Sequence, residues 1–291
     1  MLKKVSDEGK ALVFYAITLA LVLAVALMPG ASTEVAMFTP LVAVLIMLFL
    51  VTRNGYTREG LKSLGLHCLG LRAWPVAILG PLLVLGVAYG VIWATGVANF
   101  AVPEQPMEQS ASLGVPVWLL MPVAAVILPI FTLGLVTSLG EEIGWRGYLL
   151  PLLEFLGTWA AVLLTGLAHA VFHLPLILLT GLYHAGGNAL IVVPMFVLSV
   201  TLVGMFLGYL RLSTGSVWPA VLGHSAHNVL WSVFGAFTVA SSPLASEYLA
   251  GESGVLVILG YGALGGWLMY TLTKKGRLGN AKRPEAAPQN T

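Results

Sequence analysis

The sequence has few charged residues. Only 9% of its 291 residues are Asp, Glu, Lys or Arg, and 58% are hydrophobic. Soluble domains carry about 25% charged and about 45–50% apolar residues. A water-soluble fold of this length would need a polar surface that this composition cannot supply, so we expect an integral membrane protein in a lipid bilayer.

Two further absences narrow the range of functions. Basic residues exceed acidic ones by only two, 14 against 12, and they are scattered between apolar runs rather than gathered in a patch. Nucleic acid is therefore not expected as a partner. Cys68 is the single cysteine of the chain, which excludes an intrachain disulfide.

Long apolar runs predict the fold. A helix that crosses the hydrocarbon core needs about 20 mostly apolar residues. The sequence predicts an all-α, polytopic membrane protein with about eight such helices, near 11–29, 35–52, 74–96, 117–139, 158–180, 188–210, 216–238 and 254–272. The first run follows three lysines, as in a signal peptide. Its apolar part is longer than the usual signal-peptide core of about 7–15 residues, so we expect a retained helix.

The distribution of basic residues predicts the orientation, because Lys and Arg concentrate in cytoplasmic segments. With the N-terminus inside, all 14 Lys and Arg, Arg146 included, fall on the cytoplasmic side. The charged residues of the external loops are then all acidic. Both termini are therefore predicted to be cytoplasmic. Residues 1–273 are interpreted as a single transmembrane domain, the external loop 97–116 as irregular, and residues 274–291 as a disordered cytoplasmic tail.

Acidic residues near a membrane boundary give the first functional signal, because ionised groups are costly within a bilayer. Glu141 and Glu142 are followed by Arg146 at the predicted cytoplasmic end of the fourth span. On a helix Glu142 and Arg146 can pair four residues apart, whereas Glu141 faces elsewhere. Pairing would leave Glu141 for chemistry; a solvated helix end with an ion pair is the alternative.

Histidines within the spans give the second signal. His169 and His173 are four residues apart in the fifth span, and His224, His227 and Asn228 lie in the seventh. Hydrogen-bonded packing between helices is one interpretation. The other is catalysis, because imidazoles with a carboxylate form zinc or water-activating sites and an amide can stabilise an oxyanion. These groups fit hydrolysis of a peptide bond.

Three motifs occur in order over residues 140–230. They are EEIGWR from Glu141, FHLP around His173, and HSAHN from His224 to Asn228. They resemble the EExxxR, WHLP and HxxxN motifs of the CPBP family, the CAAX proteases and bacteriocin-processing enzymes, also called the abortive-infection family. The resemblance implies an intramembrane endopeptidase, with its catalytic core at about 140–230, in a prokaryotic cytoplasmic membrane. Its substrate would be a membrane-anchored peptide or protein, prenylated and CAAX-like or carrying a leader peptide.

The resemblance also implies residue roles. Glu141 would activate the attacking water, and His173 and His224 would act beside it as metal ligands or as a proton-carrying and orienting pair. Asn228 with His224 would stabilise the tetrahedral oxyanion. His173, His224 and Glu141 could hold Zn²⁺, or the same residues could serve a metal-free glutamate mechanism. The supporting residues would be Glu142, Arg146, His169 and His227.

The second-motif histidine has two candidates. His169 ends a Thr165–His169 stretch that resembles the family's F-G-L-A-H with Thr for Phe, whereas the HLP context favours His173. We assign His173 and keep His169 as auxiliary.

Two other functions compete with proteolysis. A proton-coupled transporter would also use intramembrane Glu and His, but the internal repeat common in secondary transporters is not visible. A non-catalytic immunity or scaffold member of the same family would be expected to lack motif residues, and all of them are present.

Overall fold

The computed structural model describes residues 6–181, 188–240, 242–274 and 276. Helices dominate these residues. The α-helices are α1 (Asp7–Ala26), α2 (Thr33–Met37), α3 (Thr39–Ile46), α4 (Arg58–Lys62), α5 (Trp74–Ala94), α6 (Glu104–Leu113), α7 (Val117–Met121), α8 (Leu128–Phe131), α9 (Leu133–Glu142), α10 (Leu150–Leu153), α11 (Thr158–Phe172), α12 (Leu174–Thr180), α13 (Ala189–Thr214), α14 (Trp218–Ala236), α15 (Pro243–Ala250) and α16 (Val255–Lys274).

Shorter elements join or extend these helices. The π-helical segments are Met47–Val51, Pro122–Ile127 and Ile143–Leu149, and the 3₁₀ turns are Asn54–Tyr56, Leu71–Ala73 and Glu154–Leu156. The strands β1 (Asn99–Phe100) and β2 (Thr238–Val239) pair antiparallel.

Seven helical stretches of the described residues are long and apolar enough to cross a membrane. They are Asp7–Ala26, Thr33–Val51, Leu71–Ala94, Val117–Leu156, Thr158–Thr180, Ala189–Thr214 and Pro243–Lys274. Each overlaps one of the predicted runs, which confirms an all-α polytopic membrane protein. The remaining run corresponds to α14, whose 19 residues include the polar HSAHN motif and are therefore less apolar than the other seven stretches. The cytoplasmic location of both termini stays a prediction.

Contacts between loops define the two ends of the helices. At one end Nη2 of Arg72 donates to the Ser213 carbonyl at 2.7 Å, and Nη2 of Arg211 donates to the Ser63 carbonyl at 3.1 Å. At the opposite ends of α5 and α14, strands β1 and β2 pair. Loops that the sequence assigns to the same side of the membrane therefore lie together.

The predicted irregular structure of loop 97–116 is wrong over ten residues, which form α6. Pro106 is the third residue of this helix, in the first turn, where a backbone N–H has no partner within the helix and proline is tolerated. The predicted tail 274–291 lies outside the described residues, except for Lys274, which ends α16, and Gly276.

The fourth apolar run continues further than predicted. Helical structure extends almost unbroken over Val117–Leu156, because the π-helical segment Ile143–Leu149 carries it past the Glu-Glu pair. That segment packs against α3 and α9, and α13 packs against α11, α14 and α16. The motif residues consequently lie between these helices, inside the protein.

Candidate active site

Polar side chains from several helices line one small cavity. Its volume is about 50 Å³, room for a few water molecules. The predicted site residues among its lining are Glu141 from α9, His169 and His173 from the end of α11, and His224, His227 and Asn228 from α14. Met37, Ser199, Val200, Val203, Leu207 and Glu252 complete the lining. The four residues expected to be catalytic therefore border the same space.

Glycines on the motif helix allow other helices to approach closely. A Cβ atom at Gly140 would lie 2.8 Å from the carbonyl oxygen of Met37, and one at Gly144 would lie 2.5 Å from Cβ of Pro40. Real side chains do not tolerate such distances. The absence of side chains at these two positions lets α2 and α3 cover the acidic motif and exclude lipid from it.

Glu141 is held by two N–H groups. Nε2 of His169 lies 2.5 Å from its Oε2 atom, and Nε1 of Trp145 donates to the same oxygen at a longer 3.4 Å. The Trp145 ring also stacks on the His169 imidazole, with ring centroids 5.1 Å apart. Since Glu141 is buried, these contacts fix the direction in which its carboxylate points.

Glu142 faces a different set of partners. Its Oε1 atom lies 2.8 Å from Nη1 of Arg146 and 2.9 Å from Nδ1 of His224. The predicted pairing of Glu142 with Arg146 is confirmed. The alternative of a solvated helix end is wrong, because both side chains are 0% exposed, and Arg146 lies in the helical segment Ile143–Leu149. Its assignment to the cytoplasmic side stays a prediction. The ion pair compensates two charges that the surrounding helices remove from water.

The partner of each histidine determines which ring nitrogen carries hydrogen. Nδ1 of His169 lies 3.3 Å from Nη1 of Arg146, and a guanidinium can only donate. Nδ1 therefore accepts, and Nε2–H of His169 donates to Glu141. Nδ1 of His173 lies 3.0 Å from the His169 carbonyl oxygen, and Nδ1 of His224 faces the Glu142 carboxylate. These two histidines donate from Nδ1, and in their neutral form they carry the lone pair on Nε2.

One group of side chains has the spacing of a metal site. Ligand atoms of Glu141, His169 and His173 all lie within 4.8 Å of one another, and His224, predicted as a ligand, is outside this group. A metal ligand needs a lone pair on the binding nitrogen and commonly donates its other N–H to a carbonyl or carboxylate. His173 and His224 have that arrangement, whereas Nε2 of His169 carries the hydrogen that Glu141 accepts.

His227 has a separate partner. Its Nδ1 atom lies 2.8 Å from the hydroxyl oxygen of Tyr261 on α16. Asn228 is the next residue along α14 and is partly exposed at the cavity.

Sequence reasoning missed several residues that shape the site. Trp145 stands four residues after Glu141 and could have been found by helical spacing. Nε of Arg211 donates to the Arg146 carbonyl at 3.0 Å and steadies that segment. Tyr261 lies on α16 and Glu252 in the turn before it, and no local pattern links them to the motifs.

Comparison with known proteins bears on this site directly. Residues 122–230 match the family model described as Type II CAAX prenyl endopeptidase Rce1-like, and this region contains all three motifs. No curated protein matches the chain. The match supports a membrane endopeptidase that acts on a membrane-associated substrate. Residues 122–230 of this chain are thus similar to the Rce1-like type II CAAX prenyl endopeptidases, which agrees with the predicted resemblance to the CPBP family.

Proposed function

We propose that this chain is an intramembrane endopeptidase that hydrolyses a peptide bond with a water molecule activated by Glu141. The observation that carries the proposal is that two carboxylates adjacent in sequence have different partners. Glu142 pairs with Arg146, whereas Glu141 receives N–H groups of neutral rings at a cavity that can hold water. Pairing with a cation weakens a carboxylate as a base, so the base is Glu141.

The reaction follows general base and then general acid catalysis. Glu141 accepts a proton from water while the water oxygen bonds to the carbonyl carbon of the substrate. The carbonyl π electrons move to its oxygen, and the amide NH₂ of Asn228 donates to that oxyanion. Glu141 then passes the proton to the leaving nitrogen as the C–N bond breaks. His169 keeps Glu141 in position through its Nε2–H group.

His173 and His224 act beside Glu141. Each carries its lone pair on Nε2, because Nδ1 donates to the His169 carbonyl or to the Glu142 carboxylate. An acceptor nitrogen at the cavity can orient a water molecule by receiving one of its hydrogens. Glu142 thus has a positioning role, since it holds His224 in this tautomer.

A zinc ion is the alternative to a metal-free reaction. Glu141 and His173 would hold it, since their ligand atoms lie within 4.8 Å of each other, with His224 as the predicted third ligand although it lies outside that spacing. Zinc would supply a Lewis acid and a more acidic bound water. Metal analysis of purified wild type and His173→Ala, without any activity assay, tests this. Zinc bound to wild type at close to one ion per protein, and absent from His173→Ala, supports a zinc site. Wild type that cleaves substrate at full rate after stripping to trace metal supports the metal-free glutamate mechanism.

The proposed substrates are membrane-anchored peptides, because the cavity lies among apolar helices. The resemblance to the CPBP family implies a prokaryotic cytoplasmic membrane as the location. Proteoliposomes carrying the protein would be given three peptides: a prenylated CAAX-like peptide, its unprenylated form and a membrane-anchored leader peptide. We expect cleavage of at least one by wild type and of none by Glu141→Gln. Equal cleavage by both proteins, or by neither, would overturn the proposal.

A further inference from the structure

The His227–Tyr261 pair is a buried contact that the proposed mechanism does not use. Tyr261 is completely buried, and among the described residues its hydroxyl forms one hydrogen bond, with Nδ1 of His227 at 2.8 Å. His227 is itself buried and lines the cavity, adjacent in sequence to Asn228. A polar pair between α14 and α16 thus reaches the wall of the site.

The chemistry of the two groups determines where the hydrogens lie. If Nδ1–H of His227 donated to the Tyr261 oxygen, the tyrosine O–H hydrogen would be buried without an acceptor among the described residues. If the O–H donates to Nδ1, the tyrosine hydrogen has an acceptor, and His227, which lines the cavity, carries its own hydrogen on Nε2. The second arrangement leaves the Tyr261 hydroxyl satisfied and is the one we adopt.

This tautomer is opposite to that of His224, one turn earlier on the same helix. His224 donates from Nδ1 to Glu142 and presents an acceptor nitrogen. His227 accepts at Nδ1 and presents an N–H donor. Helix α14 therefore supplies the cavity with an acceptor from His224 and with two donors, from His227 and Asn228.

We propose that His227 is a second oxyanion donor, with Nε2–H acting beside the Asn228 amide, and that Tyr261 is a positioning residue that sets its tautomer. This inference rests on the proposed peptidase function. A neutral imidazole held in one tautomer is suited to the task, because a preorganised donor stabilises charge that develops only in the transition state. No proton leaves His227 during the reaction.

Steady-state cleavage in proteoliposomes tests the role of the donor. We expect His227→Ala to lower kcat by about 10²- to 10³-fold with little change in KM, the usual effect of losing one oxyanion donor. The double variant His227→Gln with Tyr261→Phe keeps an amide donor near the Nε2 position and leaves no orphan hydroxyl. We expect it to recover most of the lost kcat.

A matched control removes a buried hydroxyl elsewhere. The Tyr148 hydroxyl is buried without a hydrogen-bond partner among the described residues, so Tyr148→Phe should keep wild-type kcat. Tyr261→Phe should lower kcat, because His227 is then free to exchange tautomers. If His227→Ala keeps the wild-type kcat, or if the glutamine double variant is no better than His227→Ala in equally folded protein, the inference is overturned.

A second measurement does not depend on turnover. Nitrogen-15 chemical shifts of labelled imidazoles distinguish the two neutral tautomers. We expect His227 to be protonated at Nε2 in wild type and to lose that preference in Tyr261→Phe. Protonation at Nδ1 in wild type would overturn the inference even if the protein is an active peptidase. Lack of cleavage by wild type, with the expected tautomer present, would instead refute the peptidase function.

Discussion

The Nε2 atom of His169 lies 2.5 Å from Oε2 of Glu141, although the two residues are 28 positions apart in the chain. The other ring nitrogen of His169 lies 3.3 Å from Nη1 of Arg146. One imidazole thus links the carboxylate assigned as base to the cation that pairs with Glu142. Because the guanidinium fixes the tautomer of the ring, it also keeps an N–H group directed at Glu141.

The two histidines of α11 should respond differently to substitution. His169 positions Glu141, whereas His173 borders the cavity with its acceptor nitrogen. We expect His169→Gln, which keeps a donor amide, to retain a substantial part of wild-type kcat. His173→Ala should lower kcat by at least about 10²-fold.

Kinetics in proteoliposomes, with both variants checked for folding by size-exclusion chromatography, measure this difference. The reverse order, with His169→Gln inactive and His173→Ala active, would make His169 the second-motif histidine and contradict the assignment.

The buried ion pair of Glu142 and Arg146 should be needed for stability as a pair. Removing one partner of a buried pair leaves an uncompensated charge and costs about 3–5 kcal/mol. Glu142→Gln and Arg146→Met should each lower the thermal midpoint of the purified protein strongly. The double variant should be more stable than the sum of the two single losses indicates.

The exposed pair of Asp7 and Lys10, with 2.8 Å between Oδ1 and Nζ, is a matched control. Breaking it should change stability by less than about 1 kcal/mol. Equal effects of the two pairs on the thermal midpoint would show that the inner pair is not buried as described.

Gly144 should not tolerate a side chain. Its Cβ would meet Pro40 at 2.5 Å and the Phe14 ring at 3.2 Å, so Gly144→Ala should destabilise the protein by about 1–3 kcal/mol. Gly90→Ala, inside α5 with nothing within 4 Å of the added atom, should be neutral or slightly stabilising. The thermal midpoints of both variants test this prediction. An unchanged midpoint for Gly144→Ala would show that α3 lies further from the motif than described.

The membrane orientation should place the cationic loops inside. The structure brings the loops around Arg72 and Arg211 to one end and the paired strands β1 and β2 to the other. Reporter fusions after Arg72 and Arg211 should therefore read cytoplasmic, and fusions after Gly114 and Ala250 external. A clear cytoplasmic signal at Gly114 would contradict the predicted topology.

Much of the fold follows from the sequence because bilayer thickness alone determines how long an apolar helix must be. The Glu142–Arg146 pair was predictable for a similar reason, since helical spacing is local. The burial of Arg146 was not predictable, because it depends on tertiary packing: a Cβ atom at Gly204 of α13 would lie 2.9 Å from Nη2 of Arg146. The contact between His227 and Tyr261 joins residues 34 positions apart on two helices, and no sequence pattern links one residue to the other.

The most direct test of the catalytic assignment is single-turnover cleavage by Glu141→Gln in proteoliposomes. The glutamine oxygen can still accept the His169 N–H, so the variant should fold, but an amide cannot take a proton from water. We expect the rate to fall by at least about 10²- to 10⁴-fold, whereas Glu154→Gln, an exposed position on the same helical run, should match wild type. Near wild-type turnover by Glu141→Gln, with loss of turnover by an equally folded Glu142→Gln, would contradict the assignment of Glu141 as the base.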